Sequence, residues 1–124
     1  MGLRWPAKDP DEILDFEVDW TRRLWSEAEA LQYADAIAAD PGKADDVPSS
    51  VVTPSDTLNG STFTLPTQTG SGQLVANSST RTTTRTKVWL AGGVVGMSYL
   101  VENRVTTVGG RTMDQTVKLK IKTK

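Results

Sequence analysis

The sequence contains neither cysteine nor histidine. Without thiols there is no disulfide framework and no thiolate metal site, and without imidazole the commonest general base and metal ligand are both missing. Catalysis would fall to carboxylates or a lysine alone, and the sequence offers no pair of such groups that belongs to one cleft. The chain is therefore expected not to be an enzyme and to carry no cofactor. No apolar run approaches the ~20 residues of a membrane span, and Met1-Gly2-Leu3-Arg4-Trp5-Pro6 opens no stretch of signal-peptide length. Synthesis in a cytosol, without secretion and without a membrane partner, is the expectation.

What is present suits a single folded domain. The chain has 124 residues, 37% hydrophobic and 23% charged, well away from the composition of disordered chains. Its net charge of -1 hides an asymmetry: residues 1–50 hold 5 basic and 12 acidic side chains, residues 51–124 hold 9 and 3. Such a charge dipole marks a nucleic-acid-binding tail or two surfaces that meet, within one molecule or between copies.

Pro6 and Pro10, set among polar residues, predict an extended arm over 1–12, with the domain proper at 13–124. Leu14, Phe16, Val18 and Trp20 then alternate with Asp15, Glu17 and Asp19, the period of a half-buried strand. Ser26 followed by Glu29 predicts a capping box and a helix over 26–39, with a narrow face of Ala30, Tyr33, Ala34 and Ile37 suited to the edge of a domain. Asp40-Pro41-Gly42 ends it. Val51-Val52, Phe63 to Leu65 and Leu74 to Ala76 are apolar islands that predict short strands, while Asn77 to Thr86 suits either a loop or a polar edge strand. Strands are expected at Lys87 to Ala91 and from about Gly96 to Thr107. Val108-Gly109-Gly110-Arg111 predicts a tight two-residue hairpin turn, with Gly109 and Gly110 tolerating positive φ. The returning strand places Met113, Gln115, Val117, Leu119 and Ile121 on one face.

Short strands in series with one helix argue for a mainly β fold, a β-sandwich. Tyr99, two residues before Val101 near the start of the penultimate strand, occupies the place of the corner tyrosine of immunoglobulin-like sandwiches, its hydroxyl tied to the backbone. Trp5-Pro6-Ala7-Lys8-Asp9-Pro10-Asp11-Glu12, running into Leu14 to Trp20, resembles the opening of small tail-adaptor proteins of tailed bacteriophages. Thr86 to Gly93, then Gly96, Tyr99, Val101, Asn103 and Val105, then Thr107 with Gly109-Gly110-Arg111-Thr112, is similar to that family's second half. Residues 26–84 depart from it, the helix looking like an insertion. The resemblance implies an immunoglobulin-like virion domain, a fibre-to-tail or head-to-tail adaptor in the tail or neck. It also implies portal, tail or fibre proteins as partners and a homo-oligomeric ring.

Candidate sites follow from exposure and charge. Trp20 is expected in the core. Trp5, with Pro6, Asp9 and Pro10, lies in an arm without a local core and is expected to anchor in a neighbouring subunit. Trp89 points opposite to Val88 and Leu90, which suits an interface, a covered sheet face or a sugar-stacking platform. The last of these gives the rival reading, a carbohydrate-binding module for host-surface attachment. Asp9, Asp11 and Glu12 lack the glycine and distal glutamate of a calcium loop and suit a solvated turn. Lys118, Lys120, Lys122 and Lys124 suit an edge protected from pairing, a phosphate-binding ridge, or a row facing Asp15, Glu17 and Asp19 from an adjacent strand. The last is the expected arrangement, and nucleic-acid contact is not expected.

Overall fold

Seven strands build the fold in this computed structural model, which describes residues 3–123. They are β1 (Leu3–Arg4), β2 (Leu14–Asp19), β3 (Leu58–Thr64), β4 (Val75–Arg81), β5 (Arg85–Ala91), β6 (Ser98–Thr107) and β7 (Thr112–Lys120). Three helices, α1 (Thr21–Leu24), α2 (Glu27–Ala39) and α3 (Pro48–Val51), all fall between β2 and β3, with a 3-10 turn at Pro41–Asp45. The chain is mainly β, in two sheets: β1-β7-β6-β3 and β2-β5-β4. Alternation sets which faces meet. Phe16 and Val18 of β2 and Val88 and Leu90 of β5 share one buried cluster with Val101 and Val105 of β6 and Val117 and Leu119 of β7.

One polar knot crosses this core. The Trp20 indole N–H donates to Asn103 Oδ1 at 2.9 Å, the Thr86 hydroxyl donates to the same oxygen at 2.6 Å, and Asn103 Nδ2 donates to Ser61 Oγ and the Thr62 carbonyl, each at 3.0 Å. Buried polar groups are tolerable because each finds a partner, and the knot ties β5 of one sheet to β3 and β6 of the other.

The N-terminal segment is not a free arm, which corrects the boundary at residue 12. β1 runs parallel to β7, with Leu3 opposite Val117 and Arg4 opposite Lys118, and Lys8 bridges Ile121. Trp5 is only 7% exposed, tilted against Phe16 at 5.1 Å between ring centroids, its indole N–H donating to the Glu17 carbonyl at 2.8 Å. It thereby covers the open edge of β2 from within its own chain. A local sequence window around Trp5 has no core because that core is assembled from β2 and β7, far along the chain.

Lys8 is fully buried. Its Nζ donates to the carbonyls of Asp9 and Gly92, both at 2.8 Å. The loop that offers this carbonyl needs glycine at Gly92 (φ +73°) and Gly93 (φ +102°): a Cβ on the first would collide with the Gln73 carbonyl, and one on the second with the Ile121 side chain. Asp9 and Glu12 shape the turn between, since Glu12 Oε1 accepts from the Asp9 N–H and Asp9 Oδ1 from the Asp11 N–H.

Two further expectations are revised, and one that stood open between two forms takes parts of both. Val51-Val52 is no strand: Pro48 at the first helical position favours a short helical turn, and only Val52 is extended. The Asn77 to Thr86 tract is split between the polar edge strand β4, a turn and the start of β5. The β6–β7 connection is a three-residue loop, Val108 to Gly110. The Gly110 N–H returns to the Thr107 carbonyl and only Gly110 has positive φ, the pattern of a type I turn closed by a bulge.

Candidate interaction surface

The acidic row lies on the outer face of the second sheet, and its neighbour is β5. Glu17 stands opposite Lys87, Asp19 opposite Arg85 and Asp15 opposite Trp89. Lys87 Nζ is 3.5 Å from Asp15 and 3.4 Å from Glu17, and Arg85 is 4.0 Å from Glu17 and 3.8 Å from Asp19. The expected facing of Asp15, Glu17 and Asp19 by Lys118, Lys120 and Lys122 is therefore not made within the chain. The last strand does lie beside a first strand, but that strand is β1, whose two residues show no periodicity to read. Each exposed pair contributes about 0.2–1 kcal/mol, enough to set register. Asp19 also ends β2 and starts α1, because its Oδ1 accepts from both the Thr21 N–H and the Thr21 hydroxyl. Trp89 is outward and 36% exposed, with the Lys87 ammonium 5.9 Å from its ring centre.

Lys118, Lys120 and Lys122 instead form a ridge with Arg4 around a concavity of about 490 Å³, lined also by Trp5, Pro6, Ala7 and Ser98. Register explains the grouping, since Lys118 sits between Arg4 on β1 and the exposed Leu100 on β6, and Lys120 stands opposite Ser98. Among the described residues no carboxylate lies within ion-pairing distance of these four cations; Lys124 lies outside them. Pro6 is exposed at the rim, and Asp9 and Pro10 are half-buried in the turn behind it.

The opposite end of the sandwich carries the helical excursion, residues 21–57. Arg111, just past the hairpin loop, holds its root: Nε donates to Asp56 Oδ2 at 2.9 Å, and the guanidinium donates to the carbonyls of Arg23 and Leu24, each at 3.0 Å. The Gly109 N–H donates to Asp56 Oδ1 at 2.8 Å. Desolvation alone would raise the Asp56 carboxyl, but the Gly109, Thr107 and Arg111 hydrogen bonds and the Arg111 charge outweigh it and hold it below its ordinary value. The clasp is accordingly whole at neutral pH and weakens as pH falls through that lowered value. A second hold comes from Trp25, whose indole N–H donates to the Val52 carbonyl at 2.8 Å.

α2 opens with the predicted capping box. Ser26 Oγ accepts from the Glu29 N–H at 3.2 Å and Glu29 Oε1 accepts from the Ser26 N–H at 2.9 Å. Glu29 Oε2 also accepts from the Ser55 N–H, closing the excursion where it leaves and rejoins the sandwich. The Ser26 backbone bond, then Ser55, hold the Glu29 carboxyl below its ordinary value against a smaller opposing desolvation. Beyond this root α2 is exposed: none of its residues is buried, and Leu31 is 65% exposed. Of its expected apolar face only Tyr33 and Ile37 are half-covered, Tyr33 stacking on Trp25 at 4.6 Å with Arg22 above both.

The Tyr99 hydroxyl accepts a hydrogen bond from the Val94 N–H at 3.0 Å, five residues upstream. This holds the β5–β6 connection, whose Val94, Val95 and Met97 are exposed at the lysine-bearing end. Sequence reasoning missed Arg4, Lys8, the Asp56–Arg111 clasp and the Asn103 knot. Thr86 and Asn103 were accessible to it, because each falls in the inward phase of its strand, with Val88 and Leu90 or with Val101 and Val105. Arg4, Lys8 and Asp56 carry no local pattern.

A family model described as "Podophage GP4 fiber-tail adaptor protein gp77" matches residues 46–120. The match takes in β3 to β7 and begins after α2; it includes residues 46–84, where the sequence resemblance is weakest, and leaves out the Trp5 to Trp20 segment. No curated protein matches the chain.

Proposed function

The chain belongs to the podophage fiber-tail adaptor family, and from that premise we propose that it is a non-enzymatic structural protein of a phage tail that joins the tail to its fibres. Several copies would sit in a ring about the tail axis. The carrying observation is the match across β3 to β7, which holds both hairpin strands and the Asp56–Arg111 pair. The fold is read as an immunoglobulin-like sandwich: β1-β7-β6-β3 against β2-β5-β4 supports a Greek-key arrangement, and the Tyr99 hydroxyl is tied to upstream backbone in the manner of the corner tyrosine. Val101, fully buried, takes the place of the second cysteine of antibody domains.

Purified virions provide the test. Mass spectrometry should find the protein at several copies per particle, and particles lacking it should retain tails while losing fibres. Its absence from virions would overturn the reading; loss of the whole tail would move it to the head-tail junction. Glycan binding that disappears in Trp89→Ala would favour the attachment module instead.

A further inference from the structure

Several charged groups on the sandwich are matched at home. Asp15, Glu17 and Asp19 take Lys87 and Arg85, Asp114 takes Arg104 with Nε to Oδ1 at 2.7 Å, and Asp56 takes Arg111. Two regions remain unmatched and opposite in sign. One is the concavity under Arg4, Lys118, Lys120 and Lys122. The other is α2 with the turn after it, where Glu27, Asp35, Asp40, Asp45 and Asp46 have only Lys43 as a cation in the segment and no carboxylate there forms an ion pair among the described residues. The excursion is rooted beside Arg111 at the start of β7, while the lysines lie at its far end. Nine residues of strand separate those points by roughly 30 Å. Among the described residues no ion pair joins the two regions.

We propose that they meet between copies: the acidic face of α2 and its following turn docks in the basic concavity of the next copy. The contact is head to tail and so generates a ring, or a filament where the rotation does not close. Polarity agrees. α2 carries a single large exposed apolar side chain, Leu31, and Lys118 in the concavity has the exposed Leu100 as its strand neighbour. The contact specifies how the proposed ring is built and rests on that reading only for its setting, since it is tested on the purified chain without any tail component.

Sedimentation velocity on three proteins decides it. The first is the parent, the second K118E/K120E/K122E, the third D35K/D45K/D46K, with circular dichroism to establish that each is folded. At low ionic strength the parent should associate, and it should return to monomer in about 1 M salt, where the Debye length is about 3 Å. Each variant alone should self-associate at least tenfold more weakly. An equimolar mixture of the two should associate again, because each then offers the other a complementary surface. Should the reversed ridge fail to fold, K118Q/K120Q/K122Q reads the same loss. A parent that is monomeric at low salt overturns the proposal, as does a folded ridge variant that associates normally or a mixture that stays monomeric. A monomeric parent that binds a short DNA duplex through the lysines assigns the ridge to nucleic acid.

Discussion

The sandwich and the helical excursion spend their side chains in opposite ways. In the sandwich, successive residues alternate between a shared core and an outer face whose charges are mostly matched, and even polar Asn103 and Thr86 are absorbed. In α2, a helix of good local propensity with a complete capping box, nothing is buried. Tertiary packing ordinarily supplies most of a helix's stability. Here the cap and the Trp25, Asp56 and Glu29 attachments at the root supply much of what holds it. The sandwich buries its side chains; α2 leaves its own uncovered.

Truncation should separate the two regions, with the largest effect at their junction. Trp20→Ala removes a fully buried ring and the donor that reaches Asn103, so urea melts should show a loss of about 3–5 kcal/mol. A loss below about 1 kcal/mol would mean that the core is not centred where the sheets meet. Trp5→Ala should cost about 3 kcal/mol, since Trp5 covers β2; stability equal to the parent's would return residues 1–12 to the status of an arm. Asn103→Ala orphans the Thr86 hydroxyl donor and leaves the Trp20 indole only the Thr86 oxygen at 3.3 Å, and should cost about 2–3 kcal/mol, more than Thr86→Ala if Asn103 is the hub. Tyr99→Phe keeps the ring and loses one hydrogen bond, for about 0.5–1.5 kcal/mol, with hydrogen exchange at the Val94 amide as the local readout. Smallest of all, Leu31→Asp should shift the midpoint by less than about 0.5 kcal/mol. A large loss there would show that α2 is packed after all.

The same contrast explains how much was legible in the sequence. Local rules suffice where both partners are neighbours in the chain: Ser26 and Glu29 announce α2, alternation announces β2 and β7, and the glycines at 109 and 110 announce the hairpin, although its length depended on which glycine turns left-handed. They fail where a residue's meaning comes from a distant partner. Leu3 and Arg4 are a strand because of Val117 and Lys118, and Lys8 is buried because a loop 84 residues away offers it a carbonyl. The acidic row is readable as a row, but whether its cations come from β5 or β7 is a matter of sheet order. Of the candidate surface, the lysines were visible and the excursion's exposure was not.

The pairing of β1 with β7 also sets an order of events. Strands β2 to β6 can begin to associate as they emerge during synthesis, but Arg4 has no strand to join until Lys118 has been made, and β6 has only one neighbour until then. One of the two interior strands of the larger sheet is thus the last of its strands to be translated. Until it arrives, Trp5 and Lys8 lack the β7 backbone that receives the Trp5 and Lys8 amides, and the nascent chain keeps β6 open on one side. A ribosome stalled before Val117 would therefore hold a sheet without its middle, a species prone to pair with another chain's strand in place of its own.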